Sequence, residues 1–168
     1  ASRNNEISKN NLIREANIRG VNRERLVFAK RTSHEKYLSQ FKYADLFLDT
    51  FIYGAGATAS NALWMGVPLL TMTGDSYSAR MATSLLCSVD LKELITNSKK
   101  DYEDLALRLS TDEKQLKAIK EKLIENLSNK PLFNTNLYTK HFEDGLEQAF
   151  NNYLAGNMPK NIYAKSKI

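Results

Sequence analysis

The sequence predicts an α/β fold. The expected architecture is an incomplete parallel sheet of about four strands, helices on both faces, and a helical C-terminal third. Three observations predict it. The apolar runs are short and continuous, as in strands buried on both faces. They alternate with segments of helical period, which makes βαβ units. And one run, ending at Asp49-Thr50, passes straight into a small-residue turn, Gly54-Ala55-Gly56-Ala57-Thr58-Ala59-Ser60, that opens another helical segment.

Residues 6–19, EISKNNLIREANIR, place Ile7, Leu12, Ala16 and Ile18 among charges and predict an amphipathic helix stopped by Gly20. Leu26–Ala29 is β-branched and aromatic and predicts a strand. Ser33 is placed to cap a short helix over SHEKYLSQFKYA, and Ala44–Asp49 is the next strand. Ala59–Met65 predicts a short helix stopped at Gly66. Pro68 then opens the strand PLLTM, where its missing N–H does least harm. SARMATSLLCSV predicts a helix and Lys92–Ile95 a short strand. Ser98 and Thr111 each begin a further helix, the second with Asp112 and Glu113 in its first turn. PLFNT breaks the pattern before a long amphipathic helix from Asn136 that ends at Gly156.

The chain starts with a helix and its phosphate-type turn follows its second strand. A doubly wound domain carries that turn after its first strand. The sequence therefore reads as the later part of a Rossmann-like domain. Three segments are expected: a partial nucleotide-binding lobe over residues 1–130, a long helix of the same lobe over 131–156, and a tail over 157–168.

Composition excludes several classes. Hydrophobic residues make up 42% and charged residues 26%, which fits a globular chain and not a disordered one. No apolar run approaches the ~20 residues that span a bilayer, and ASRNNEISKN carries no apolar stretch of signal type. No membrane association and a cytoplasmic location are the expectations. The net charge of +5 comes from basic residues interleaved with acids along helices, so no nucleic-acid partner is expected. Cys87 is the only cysteine, lies in the apolar run TSLLCSVDL, and is expected to be buried and inert.

The small-residue turn bears two chemical readings. A helix N-terminus at the C-terminal end of a parallel strand presents free N–H groups and a positive dipole, so small residues there admit a diphosphate. Gly54 to Ala59 also fits G-x-G-x-x-A, with Asp75 near the end of the next strand, which keeps an NAD(P)- or FAD-dependent oxidoreductase open. Alternatively, the glycines serve only close packing of helix against strand.

The stretch ADLFLDTFIYGAGATASNALWMGVPLLTMTGDSYSARMATSLL resembles the C-terminal catalytic lobe of the O-GlcNAc transferase family, whose motif is A-D-x-x-L-D-T followed by T-T-A-S-D-A-L-W-x-G-x-P. The similarity continues through LKELITNSKKDYEDLALRLSTD, PLFNTNLYTKHFEDGLEQAF and AGNMPKNI, from Arg25 to about Ile162. The resemblance implies an inverting GT-B glycosyltransferase of bacterial type, with two lobes, a UDP-sugar donor, a protein Ser or Thr acceptor reached through the other lobe, and no metal or other cofactor. The resemblance also implies a parent protein that contains TPR repeats, and leaves open whether they precede this lobe.

Carried over by position, the resemblance assigns donor binding to Thr32, His34, Tyr37, Gln40, Gly56, Ala57, Thr58 and Asn61. His34 replaces a family Lys at the uracil, Tyr37 a His and Gln40 an Arg. Gly56 and Ala57 replace a His and a Thr, Thr58 is retained, and Asn61 replaces the Asp on the ribose hydroxyls. Arg80 matches a family Arg and is expected to bridge to Asp75 or Asp49. The resemblance places the phosphate-contacting Lys and the proton-transfer groups outside this chain, so no catalytic residue is assigned here and the chain alone is expected to be inactive. A non-catalytic interaction module remains the third reading. Self-association is also expected, through the stripe Tyr138, Phe142, Leu146, Phe150 and Tyr153.

Overall fold

A computed structural model describes residues 6–164. The chain divides into two compact units, one ending at Tyr37 and one from Leu38 onward.

The first unit opens with α1 (Glu6–Ile18). Gly20 ends it at φ +79, a conformation free of strain only without a Cβ, and Val21 N–H donates back to the Ala16 carbonyl at 2.9 Å. A 3-10 turn, Arg23–Arg25, follows, with Asn22 as its N-cap. The strand expected at Leu26–Ala29 does not form. These residues have no secondary structure, and Val27 is 90% exposed. The run has strand propensity, but a strand exists only through a neighbour's hydrogen bonds, and none is supplied among the described residues. The short helix expected after Ser33 is α2 (His34–Ser39).

The second unit holds the sheet. It has three parallel strands in the order β1-β2-β3, not about four. They are β1 (Phe47–Leu48), β2 (Leu69–Met72) and β3 (Ile95–Thr96). The first half of β2 pairs with β1 (Phe47 opposite Leu69) and its second half with β3 (Thr71 opposite Ile95). Both outer strands are two residues long, because each has only one neighbour and half of β2 to bond to. Lys92–Leu94, expected in the last strand, forms a 3-10 turn. Leu48, on the unpaired edge, is 54% exposed.

Helices α3 (Ala57–Trp64), α4 (Tyr77–Ser88) and α5 (Lys99–Thr111) pack on β2. Leu63, Leu69, Leu70, Leu86, Leu91, Leu94 and Leu123 are fully buried and form the core. Gly66 ends α3 at φ +77 and Gly156 follows the last helix at φ +68, both as expected. The Ser98 hydroxyl caps α5, accepting from the Asp101 N–H at 3.1 Å. The next helix, α6 (Glu113–Asn129), is capped by Asp112 and not Thr111, since Asp112 Oδ1 accepts from the Gln115 N–H at 2.9 Å. Asn126 on α6 is buried and donates to the Val89 carbonyl, which ties α6 to the end of α4.

Cys87 is exposed, contrary to expectation. The buried face of α4 runs through Ala79, Ala82 and Leu86, and Cys87 is one residue, about 100° of helix, off that face. After a 3-10 turn at Pro131–Phe133 comes α7 (Thr135–Leu154), which buries no residue. Its stripe of Tyr138, Phe142, Leu146, Phe150 and Tyr153 is exposed throughout. Among the described residues no helix is long and apolar enough to cross a membrane.

Candidate functional site: an anion cradle at the end of β1

The site begins at Asp49, where β1 ends. Asp49 is 6% exposed and forms no ion pair among the described residues. A carboxylate so placed must be satisfied by hydrogen bonds. Its Oδ1 accepts from the backbone N–H of Thr50 at 2.8 Å and of Ala55 at 2.7 Å. Its Oδ2 accepts from the Thr71 hydroxyl on β2 at 2.7 Å. Its main-chain carbonyl accepts from the Tyr102 hydroxyl on α5 at 2.9 Å. Thr96 on β3 completes the set, donating to the Thr71 carbonyl at 3.0 Å. Tyr102 also meets the Phe51 ring edge-on, with centroids 4.9 Å apart. Burial, with a smaller contribution from the Asp49 charge, pushes the Tyr102 hydroxyl up to about 12, so it stays a donor at neutral pH.

The bond from Ala55 closes residues 49–55 into a tight loop that delivers the chain to α3. Gly56 is the N-cap and supplies no side-chain hydrogen bond. The first intrahelical bond runs from Ser60 N–H to the Gly56 carbonyl at 3.0 Å. The amides of Ala57, Thr58 and Ala59 therefore have no helical acceptor. Ala57 and Thr58 lie on a cleft of about 710 Å³ lined by the turn Gly54–Thr58 and by Thr50, Tyr53, Ser76, Tyr77, Ser78 and Met81. The start of α4 meets the same cleft, and its N-cap, Ser76, accepts from the Ala79 N–H at 3.2 Å. Two helix N-termini and several hydroxyls thus face one space, an arrangement suited to an anion.

The two glycines of the turn do different work. A Cβ on Gly54 would lie 2.8 Å from the Ser78 carbonyl oxygen and 3.1 Å from Asp49 Oδ2. What comes close there is the backbone of α4, as the packing alternative expects. A Cβ on Gly56 would meet only the Met81 methyl, at 3.6 Å. That position is open toward the cleft.

Of the residues singled out from the sequence, Gly56, Ala57 and Thr58 come together on the cleft. Asn61 is half-buried one turn further along α3 and is not on the cleft wall. Thr32, His34 and Tyr37 lie in the first unit, where the His34 and Tyr37 rings are 6.3 Å apart. Gln40 is exposed in the 3-10 turn Gln40–Tyr43 of the second unit. Arg80 does not bridge to Asp75 or Asp49. It is exposed without an ion pair among the described residues, and backbone amides and Thr71 occupy the Asp49 oxygens. Sequence reasoning missed Ser76 and Ser78. Their signal was the Ser-x-Ser start of α4 directly after the next strand, a second helix N-terminus on the same side of the sheet. A separate cleft of about 580 Å³ is lined by Trp64, Phe133 and His141, whose buried Nε2 has no hydrogen-bond partner among the described residues, but it has none of these amides.

A parallel sheet with open helix N-termini at its strand ends belongs to the α/β class, in which ligands sit at the carboxyl ends of the strands. The sequence model of Glycosyl transferase family 41 matches residues 3–142. The chain is 31% identical over 138 residues to a UDP-N-acetylglucosamine–peptide N-acetylglucosaminyltransferase of Caenorhabditis elegans, covering 82% of this chain and 12% of that protein. It also superposes on a mutant O-GlcNAc transferase of Thermobaculum terrenum with a TM-score of 0.70 and 33% identity, over 74% of this chain and 24% of that one. The chain belongs to glycosyl transferase family 41. It spans about an eighth of the curated relative and about a quarter of the solved chain.

Gly54→Ala is expected to lower stability by about 1–3 kcal/mol through overpacking against α4, and Gly56→Ala by less than about 1 kcal/mol. Urea unfolding of both variants checks the contrast. For Tyr102, the folded state keeps a proton up to about pH 12 that the unfolded chain loses near about pH 10. Between those values the unfolded state binds fewer protons, so stability falls as pH rises through that window. Tyr102→Phe is expected to be less stable at neutral pH and to lose part of this alkaline decline, read from unfolding at a series of pH values.

Proposed function

We propose that this chain is the UDP-sugar-binding part of an inverting glycosyltransferase that transfers GlcNAc, or a related hexose, to Ser or Thr of proteins. The observation that carries the reading is the cleft at the N-terminus of α3, where the amides of Ala57, Thr58 and Ala59 have no helical acceptor. Family membership and the activity named for the Caenorhabditis elegans relative support it.

In such a transfer the acceptor oxygen attacks the anomeric carbon from the face opposite the diphosphate. The bond to the β-phosphate oxygen breaks, configuration inverts, and the hydroxyl proton leaves to a base. Negative charge grows on the leaving diphosphate. Fixed N–H dipoles aimed at that oxygen stabilise the transition state more than the ground state. In this chain α3 supplies those dipoles, and Thr58 adds a hydroxyl. Thr32 and His34 are assigned to the uracil ring, Tyr37 and Gln40 to further contacts with the nucleotide, and Asn61 to the ribose with a neutral hydrogen bond in place of a charge-assisted one. No residue of this chain is assigned to proton transfer, so the chain alone is inactive and the activity belongs to a longer protein.

Titration of the chain with UDP, UDP-GlcNAc, UDP-glucose and NAD, followed by amide NMR, tests the reading. The uridine diphosphates are expected to shift Ala57 and Thr58, and NAD to leave them in place. Selective binding of NAD would return the oxidoreductase reading.

We also propose that the chain self-associates through α7. The exposed apolar stripe supports this, as does Gly145, the helix midpoint, beside which a Cβ would meet nothing within 4 Å. A two-fold axis at that point sets Tyr138 and Phe142 of one copy near Phe150 and Tyr153 of the other. Light scattering is expected to give a dimer mass that Phe142→Glu reduces to monomer. A monomer mass for the unaltered chain up to roughly millimolar concentration, where even weak protein contacts register, contradicts it.

A further inference from the structure

We propose that Asp49 is the positioning residue of the cradle: its buried carboxylate, which touches no ligand site itself, sets the path of residues 49–56 and so aims the first-turn amides of α3. The proposal rests on the diphosphate reading of the cleft and adds a residue to it.

The presence of this carboxylate needs an explanation. It is buried, has no cation beside it among the described residues, and holds the amides of Thr50 and Ala55, two residues that line a space read as an anion site. Burial disfavours its charge, and its charge repels a phosphate. Electrostatics alone therefore argues against an acid here. Geometry argues for one. Three donors converge on its two oxygens: the Thr50 and Ala55 amides on Oδ1 and the Thr71 hydroxyl on Oδ2. Only a carboxylate offers acceptors on both sides and no donor of its own. Charge-assisted bonds are also about twice as strong as neutral ones, which suits a loop that must hold one shape.

The bonds connect the cradle to the whole sheet. Asp49 directly follows β1, Thr71 sits on β2, and Thr96 of β3 holds the Thr71 carbonyl. Tyr102 of α5 holds the Asp49 carbonyl. Ala55, the residue before the N-cap of α3, is pinned from the same oxygen as Thr50. The Asp49 side chain thereby ties the approach to α3 to β2, while β3 and α5 hold the same two residues, Thr71 and Asp49, by their main-chain carbonyls. A displacement of about 0.5 Å is enough to spoil such a constellation.

The decisive variant is Asp49→Asn. The amide oxygen can keep one set of bonds, but its NH2 group faces the Thr71 hydroxyl. The two accounts give opposite signs. A positioning role predicts weaker UDP binding, roughly ten- to hundredfold, the equivalent of one lost charge-assisted hydrogen bond. A merely neighbouring charge predicts tighter binding, because a repelling anion is gone. Amide hydrogen exchange at Ala55, Ala57 and Thr58 is the second readout and is expected to quicken by about tenfold or more. Thr71→Val, which keeps the carboxylate and nearly the same shape, serves where Asp49→Asn does not fold, and is expected to change both readouts in the same direction. Unchanged exchange at these amides, or tighter UDP binding, overturns the proposal. If the unaltered chain gives no response to UDP, the diphosphate reading fails and exchange alone decides whether Asp49 positions the turn.

Discussion

The second unit turns on one buried carboxylate that has no counter-ion among the described residues. Asp49 gathers the Thr50 and Ala55 amides and the Thr71 hydroxyl, and its carbonyl receives Tyr102. Those bonds join the strand end, the turn, the centre of the sheet and α5. Leaving any of the donors unmet would cost more than the bond itself contributes, so the set acts as a unit. The open amides of α3 follow from it, because the loop that closes on Ala55 is what delivers the chain to Gly56.

The smallness of the turn has two separate causes. At Gly54 the α4 backbone comes within the space a Cβ would fill. At Gly56 the space is open and faces the cleft. The stretch that fits a dinucleotide fingerprint is therefore partly a packing device and partly an open wall of the cleft. With Gly56 and Ala57 offering no polar side chain, the donors this turn carries along the cleft are backbone N–H groups and the Thr58 hydroxyl. Backbone donors cost no side-chain entropy to hold in place.

Much of the fold was legible in the sequence because its signals are local. Gly20, Gly66 and Gly156 stop helices through their own φ, and Ser98 caps α5 three residues away. The motif spanning the turn indicated the family, and the family model matches residues 3–142. What was not legible depends on partners distant along the chain. Leu26–Ala29 has the composition of a strand but no ladder. Cys87 sits in an apolar run yet faces outward, since one residue along a helix changes its face. The role of Asp49 rests on Ala55, Thr71 and Tyr102, which spacing alone does not reveal. Arg80 shows the converse: a matched position whose expected ion pair is replaced by amide donors.

The most direct test of the account is a crystal structure with UDP bound. The account predicts a β-phosphate oxygen within about 2.7–3.2 Å of the Ala57 and Thr58 amides, with the Asp49 bonds to Ala55 and Thr71 intact beneath it. A diphosphate held elsewhere, with the amides of α3 still facing open cleft, would contradict it.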